Sequence, residues 1–216
     1  MCLRKTHPAA VSSACAFTIP KLCRRAVDAA SLPQPSWQDY HCCPSKKKAG
    51  LNDPALRENF IERVFAYHRW QEALAGSKSA RALVEFHTRH KFLLLAHSER
   101  HYRRLGRLVA GVKENSLRAT YEEYGSIFME GLAICASAKK HANVLDHLMG
   151  YFSDRLSVAE RRELVALIRD FRGQLVPLIV PITLIHHYVK KYDVDYLAAQ
   201  VYLAPSPKEL MLRNHA

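Results

Sequence analysis

Histidine is the side chain with the widest chemical scope in this 216-residue chain, and ten of its twelve histidines follow residue 50. An imidazole can ligate a metal, act as a general base or serve as a neutral hydrogen-bond partner, so spacing has to decide. His90 and His97 lie seven residues apart and share a face only of an unbroken helix. His141 and His147, six apart, face different ways, and the adjacent His186 and His187 point about 100° apart on a helix. There is no HExxH and no paired Glu-x-x-His. A metal centre would need convergence from several helices, so no metal and no cofactor is assigned.

Two further groupings carry candidate chemistry. Lys140, Asn143, His147 and Gly150 form one polar stripe at helical spacing, with Asn143 and His147 one turn apart and Gly150 leaving room for a shared ligand. The plain alternative is a solvated stripe. His90 and Lys91, with His97, Arg103, Arg104 and Arg107, make a basic cluster that suits phosphate beside the free amides that follow Ser98. Tyr102, Tyr151, Tyr188 and Tyr192 are candidates to stack on a base, or else core and rim residues. The candidate ligand-binding set is therefore His90, Lys91, His97, Arg104, Asn143, His147, His186 and His187, and no catalytic residue is assigned. No GxSxG, P-loop or GxGxxG occurs, and Cys135 sits in an apolar helical stretch.

Helices must position these groups. From Leu51 onward apolar residues recur at helical spacing, as in Leu56, Phe60, Val64 and Tyr67, with no convincing strand alternation. Asn52 or Asp53 with Pro54 opens a first helix to about Leu74, and Gly76 to Ser79 is a linker. Further helices are expected over about 80–96, from Ser98 to Val109, from Ser116 to Ala136 and over 139–156. Ser157 and Glu160 make a capping box for a sixth, ending at Gly173. The most apolar run, QLVPLIVPITLIHHYV from Gln174 to Val189, predicts a central helix near 175–191 with neighbours on nearly every side. Asp193 and a second capping box at Ser206 are expected to cap two more helices. The expectation is an all-α fold, a single bundle of about seven to eight helices.

Residues 1–50 differ from the rest. They hold five prolines and five of the six cysteines, carry +6 of the net +12, and have no sustained period, which predicts disorder. Residues 51–216 carry the other +6, a mildly basic surface that tolerates an anionic partner. With a single cysteine in the periodic part, a disulfide framework is excluded there and a cytoplasmic location is expected. Leu175 to Val189 is too short and interrupted to span a membrane, so none is expected.

Four segments carry a family likeness: HKFLLLAHSERHYRRLGRLVA at 90–110, HANVLDHLMGYF at 141–152, LVPLIVPITLIHHYV at 175–189 and QVYLAPSPKELMLRN at 200–214. Together they resemble the YbgA-like family, a bacterial domain of unknown function, over roughly residues 80–214. The resemblance implies a domain often fused behind one similar to thiouracil desulfidases, iron-sulfur enzymes that remove sulfur from thiolated nucleobases. Residues 51–75 resemble the final helix of that preceding domain, whereas its cluster-binding cysteine motifs are missing here. The likeness thus implies a truncated fusion without desulfidase activity, with residues 1–50 a leader that is not native to the domain. Such a chain would act as a non-catalytic accessory or binding module whose partners are a nucleotide, a thio-nucleobase or nucleic acid, and a desulfidase-like domain. The alternatives are a small-molecule enzyme with a histidine-lined pocket and a structural or oligomerisation domain.

Overall fold

The computed structural model describes residues 53–112, 116–205 and 209, and among them the chain is all α. The helices are α1 (Pro54–Ala75), α2 (Ala80–His97), α3 (Glu99–Ala110), α4 (Leu117–Ala133), α5 (Ala138–Gly150), α6 (Val158–Arg172), α7 (Ile179–Lys191) and the single-turn α8 (Asp195–Ala198). The leader expected over 1–50 and the capping box expected at Ser206 lie outside the described residues.

Caps written in the local sequence set most starts. The Asp53 carboxylate accepts from the amides of Ala55 and Leu56, with Pro54 in the first turn where a missing N–H costs nothing. Ser79 caps α2, Ser98 closes α2 while capping α3, and Ser157 and Glu160 exchange both bonds of a capping box on α6. Two boundaries differ from the periodicity. Helix α5 stops at Gly150, not near Leu156, because the chain tightens into turns such as Phe152 N–H to Met149 O. Asp193 does not cap α8; it takes a left-handed φ of 52°, and Val194 occupies the cap position.

The helix expected at the centre lies at the side. Within α7 only Pro181, Ile185, Tyr188 and Val189 are buried, and Leu175 ahead of it is 78% exposed. The Leu175 amide bonds back to Asp170 O and Pro177 offers no N–H, so the apolar run is divided between a turn and a one-sided helix. The enclosed element is α2, in which every residue from Phe92 to His97 is buried. Such a stretch spans more than one turn, so it meets neighbours in all directions.

Two cores meet on that helix. Leu83, Phe86, Leu93 and Leu94 face one built with α1, α3 and α4 around Trp70, Tyr124 and Phe128. Phe92, Leu95 and Ala96 face another built with α5, α6 and α7 around Leu145, Phe152, Leu164 and Ile185. The segment after α8 bridges them: Val201 enters the first core, Tyr202 and Leu203 the second, and the Val201 amide donates to Arg89 O at 3.0 Å. Helix α1 is a full member of the first core, with Trp70 stacked 5.1 Å from Tyr124 and edge-on to Phe86.

Candidate functional site

Helix α3 buries Leu105 and Val109, which turns Arg100, Arg103, Arg104 and Arg107 together to solvent. Positions i, i+3, i+4 and i+7 share one face, so the same periodicity that builds the core builds this patch. Arg103 pairs with Glu99 on its own helix, and Arg104 reaches Glu123 on α4 at 3.3 Å. Arg100 and Arg107 have no ion-pair partner among the described residues. Pairs this exposed hold weakly and exchange readily for another anion. Arg100 was not among the candidates from sequence, although its spacing to Arg103, Arg104 and Arg107 was the signal.

On the side of α3 that packs against α2 lies an aromatic row. The His87 ring lies parallel to Tyr102 of α3 at 6.1 Å, and its Nδ1 is 3.2 Å from the Tyr124 hydroxyl. Burial, helped by the Lys91 charge, pushes His87 down to about 4, so the ring is neutral at pH 7. One turn on, the Lys91 ammonium donates to the Tyr151 hydroxyl at 2.9 Å and lies over the rings of Phe92 at 4.6 Å and Tyr196 at 4.7 Å. Burial works against that charge, but hydrogen bonding to Tyr151 and Tyr196 outweighs it, and the Lys91 pKa is raised. Tyr196 escaped sequence reading because the single-turn helix that carries it has too short a pattern to register.

His90 and His97 are interior groups. His90 Nδ1–H donates to Phe86 O at 2.8 Å and the ring stacks on Phe86; burial drives its pKa down to about 3, leaving Nε2 as a buried acceptor with no partner among the described residues. His97 is fully buried, its Nδ1–H donating to Ile134 O at 2.8 Å while Nε2 stands 3.0 Å from the Glu62 carboxylate. Asn59 of α1 donates to Leu132 O at 3.0 Å, and Lys140 of α5 donates to His97 O at 2.6 Å. This polar knot ties α1 and α5 to the junction of α2 with α4 and encloses His97.

The other candidates lie elsewhere. Asn143 and His147 are exposed on α5, and nothing stands within 4 Å of where a Gly150 side chain would be. Asn143 lines a shallow groove of about 590 Å³ with Lys139, Lys140, Asp146 and Arg172, the last two ion-paired at 2.7 Å. His186 is half-buried and His187 exposed on α7. The histidines thus do not gather on one cavity: His90 and His97 are buried along α2, while His147 and His187 face solvent on other helices. Of the expected basic cluster only the arginines and Lys91 remain accessible. Among the described residues no group of three or more His, Cys, Asp or Glu is placed to hold a metal, and no helix is long and apolar enough to cross a membrane.

Comparison with known proteins identifies a family for the chain. The family described as "Protein of unknown function (DUF1722)" matches residues 91–207. The "Uncharacterized protein YbgA" of Escherichia coli (strain K12) is 34% identical over 165 residues, which is 76% of this chain and 98% of that protein. A match of that length in a chain of 216 residues must take in the sequence of α1. No solved structure matches the chain.

Proposed function

We infer that this chain, which belongs to the DUF1722 family of proteins of unknown function, works as a non-catalytic accessory module that holds a nucleic acid for a partner enzyme. The observation that carries this reading is the arginine face of α3, where Arg100, Arg103, Arg104 and Arg107 stand exposed with two acidic side chains against four cations. Guanidinium groups match phosphate in a bidentate way, and a row at helical spacing follows a backbone of repeating charge. The likeness to domains fused to desulfidase-like enzymes supplies the setting: the partner is a desulfidase-like protein and the strand carries a thiolated nucleobase. The buried positions of His90 and His97 weigh against a histidine-lined catalytic pocket.

The test is anisotropy of a labelled RNA against salt concentration. With the four arginines engaged, the log of the affinity should fall against log salt with a slope of about −2 to −3. Arg100→Ala with Arg107→Ala should make that slope shallower, and Arg104→Ala should do so by less, since Glu123 already occupies it. Binding that ignores both salt and these substitutions removes the reading. A second reading, assembly with another copy, is favoured by the exposed Val158 at 69% and Leu175 at 78%, and a strict monomer by light scattering would remove it.

A further inference from the structure

Tyr151 and Tyr196 are the two tyrosines that stand out as large exposed apolar side chains, at 41% and 38% exposure, and they stack on each other with centroids 5.4 Å apart and planes inclined by 22°. They come from different places, the turn after α5 and the single-turn α8, and Lys91 of α2 holds them together from between. Phe92, 4% exposed and edge-on to Tyr151 at 6.0 Å, closes the floor. Both rings remain partly exposed beside a fixed cation. A lone exposed tyrosine needs no explanation, whereas two stacked and braced from three elements form a rigid planar surface.

Its position relative to the arginine face gives it meaning. Lys91 and His87 are one turn apart on the same side of α2, and His87 lies parallel to Tyr102 at 6.1 Å, on a side of α3 about 150° around the helix from the centre of the arginine stripe. A strand that leaves the arginines around α3 and follows this row along α2 meets the tyrosine pair. Bases in a regular duplex are closed inside the stack, so a ring surface of this kind is reached only by a base that is splayed out.

We propose that Tyr151 and Tyr196 form a stacking platform for an unpaired base, with Lys91 facing the adjoining phosphate, so that the bound segment is single-stranded or looped and not a regular duplex. The proposal rests on the nucleic-acid reading above and narrows its substrate class.

The experiment uses the full chain with two labelled probes of equal length, a single-stranded oligouridine and a duplex RNA, each titrated at fixed salt. The wild type should prefer the single strand. Tyr196→Leu, which keeps apolar volume but removes the ring, should weaken single-strand binding about tenfold, within the range for loss of one base–aromatic stack, and leave duplex binding unchanged. Tyr196→Phe should retain the wild-type preference, and Arg107→Ala should weaken both probes alike. Equal single-strand affinity in Tyr196→Leu and the wild type, or a wild type that prefers duplex, overturns the platform and leaves the arginine reading standing. A wild type that binds neither probe overturns both. Lys91→Met provides a second variant, expected to lose single-strand affinity because it removes both the cation facing the phosphate and the brace on the tyrosine pair.

Discussion

The two cores that share α2 are held by different physics. The one built with α1, α3 and α4 is aromatic and close-fitting: Trp70 packs among Phe86, Tyr121, Tyr124 and Phe128, and a Cβ on Gly125 would lie 2.6 Å from the Trp70 indole nitrogen. It also encloses the Glu62–His97 contact and two neutral histidines. The one built with α5, α6 and α7 buries as many aromatic side chains, Phe92, Phe152, Phe171, Tyr188 and Tyr202, but spreads them among aliphatic ones instead of clustering them on one ring, and its helices are tied at the rim by Lys191 and Tyr192 to Glu160 and by Arg172 to Asp146. The first should be specific and sensitive to shape and protonation. The second should tolerate change.

Breaking the first core should cost most at Glu62. Glu62→Ala leaves the fully buried His97 without its partner, and loss of one member of a buried pair is expected to cost about 3–5 kcal/mol, read by denaturant unfolding. An effect no larger than that of a surface substitution would erase the contrast between the cores.

Acid should then separate them. For His87 and His90, folded values near 4 and 3 lie below the ordinary 6.5. Above pH 6.5 both folded and unfolded chains are neutral at these sites; below it the unfolded chain takes up protons that the folded one refuses. Stability therefore falls as pH drops from 6.5 toward 4, by about 1.4 kcal/mol per pH unit for each group. Glu160 behaves in the lower window: bonds from Lys191 and Ser157, then Tyr192, hold its carboxyl near 2, so its contribution is present above pH 4.5 and lost as pH falls toward 2. Amide exchange should quicken in α1 to α4 between pH 6.5 and 4, before α6 and α7 loosen, and the reverse order would contradict the assignment.

Smaller effects test the same contrast. Gly125→Ala forces Trp70 aside and should cost about 1–3 kcal/mol, whereas Gly150→Ala, with open space around it, should be neutral or stabilising by thermal melt. Ser157→Ala removes the capping box of α6 and should cost about 1 kcal/mol, without altering exchange in α1 to α4.

Legibility followed the range of the forces. The arginine face of α3 could be read in part because helical spacing alone sets it: Arg103, Arg104 and Arg107 were visible, and Arg100 fits the same stripe. Lys91 was visible as a cation but not as the centre of an aromatic trio, because Tyr151 and Tyr196 are brought to it from 60 residues away and beyond. His90 and His97 were legible as chemically capable and illegible as buried, since imidazole suits a site and a satisfied core equally.

Helicity and most helix starts were decided locally, because hydrophobic period and caps such as Asp53, Ser79, Ser98 and the Ser157–Glu160 box act within a few residues. Which helix lies at the centre, and which polar groups remain at the surface, was settled by packing between distant parts of the chain. The apolar run at 174–189 promised an enclosed helix, yet α2, with its polar residues interleaved, took that place. The reason is that enclosure depends on partners: His97 can be buried because Glu62 and Ile134 O meet its two nitrogens, and Leu175 stays exposed because the turn before α7 offers it no neighbouring helix to cover it.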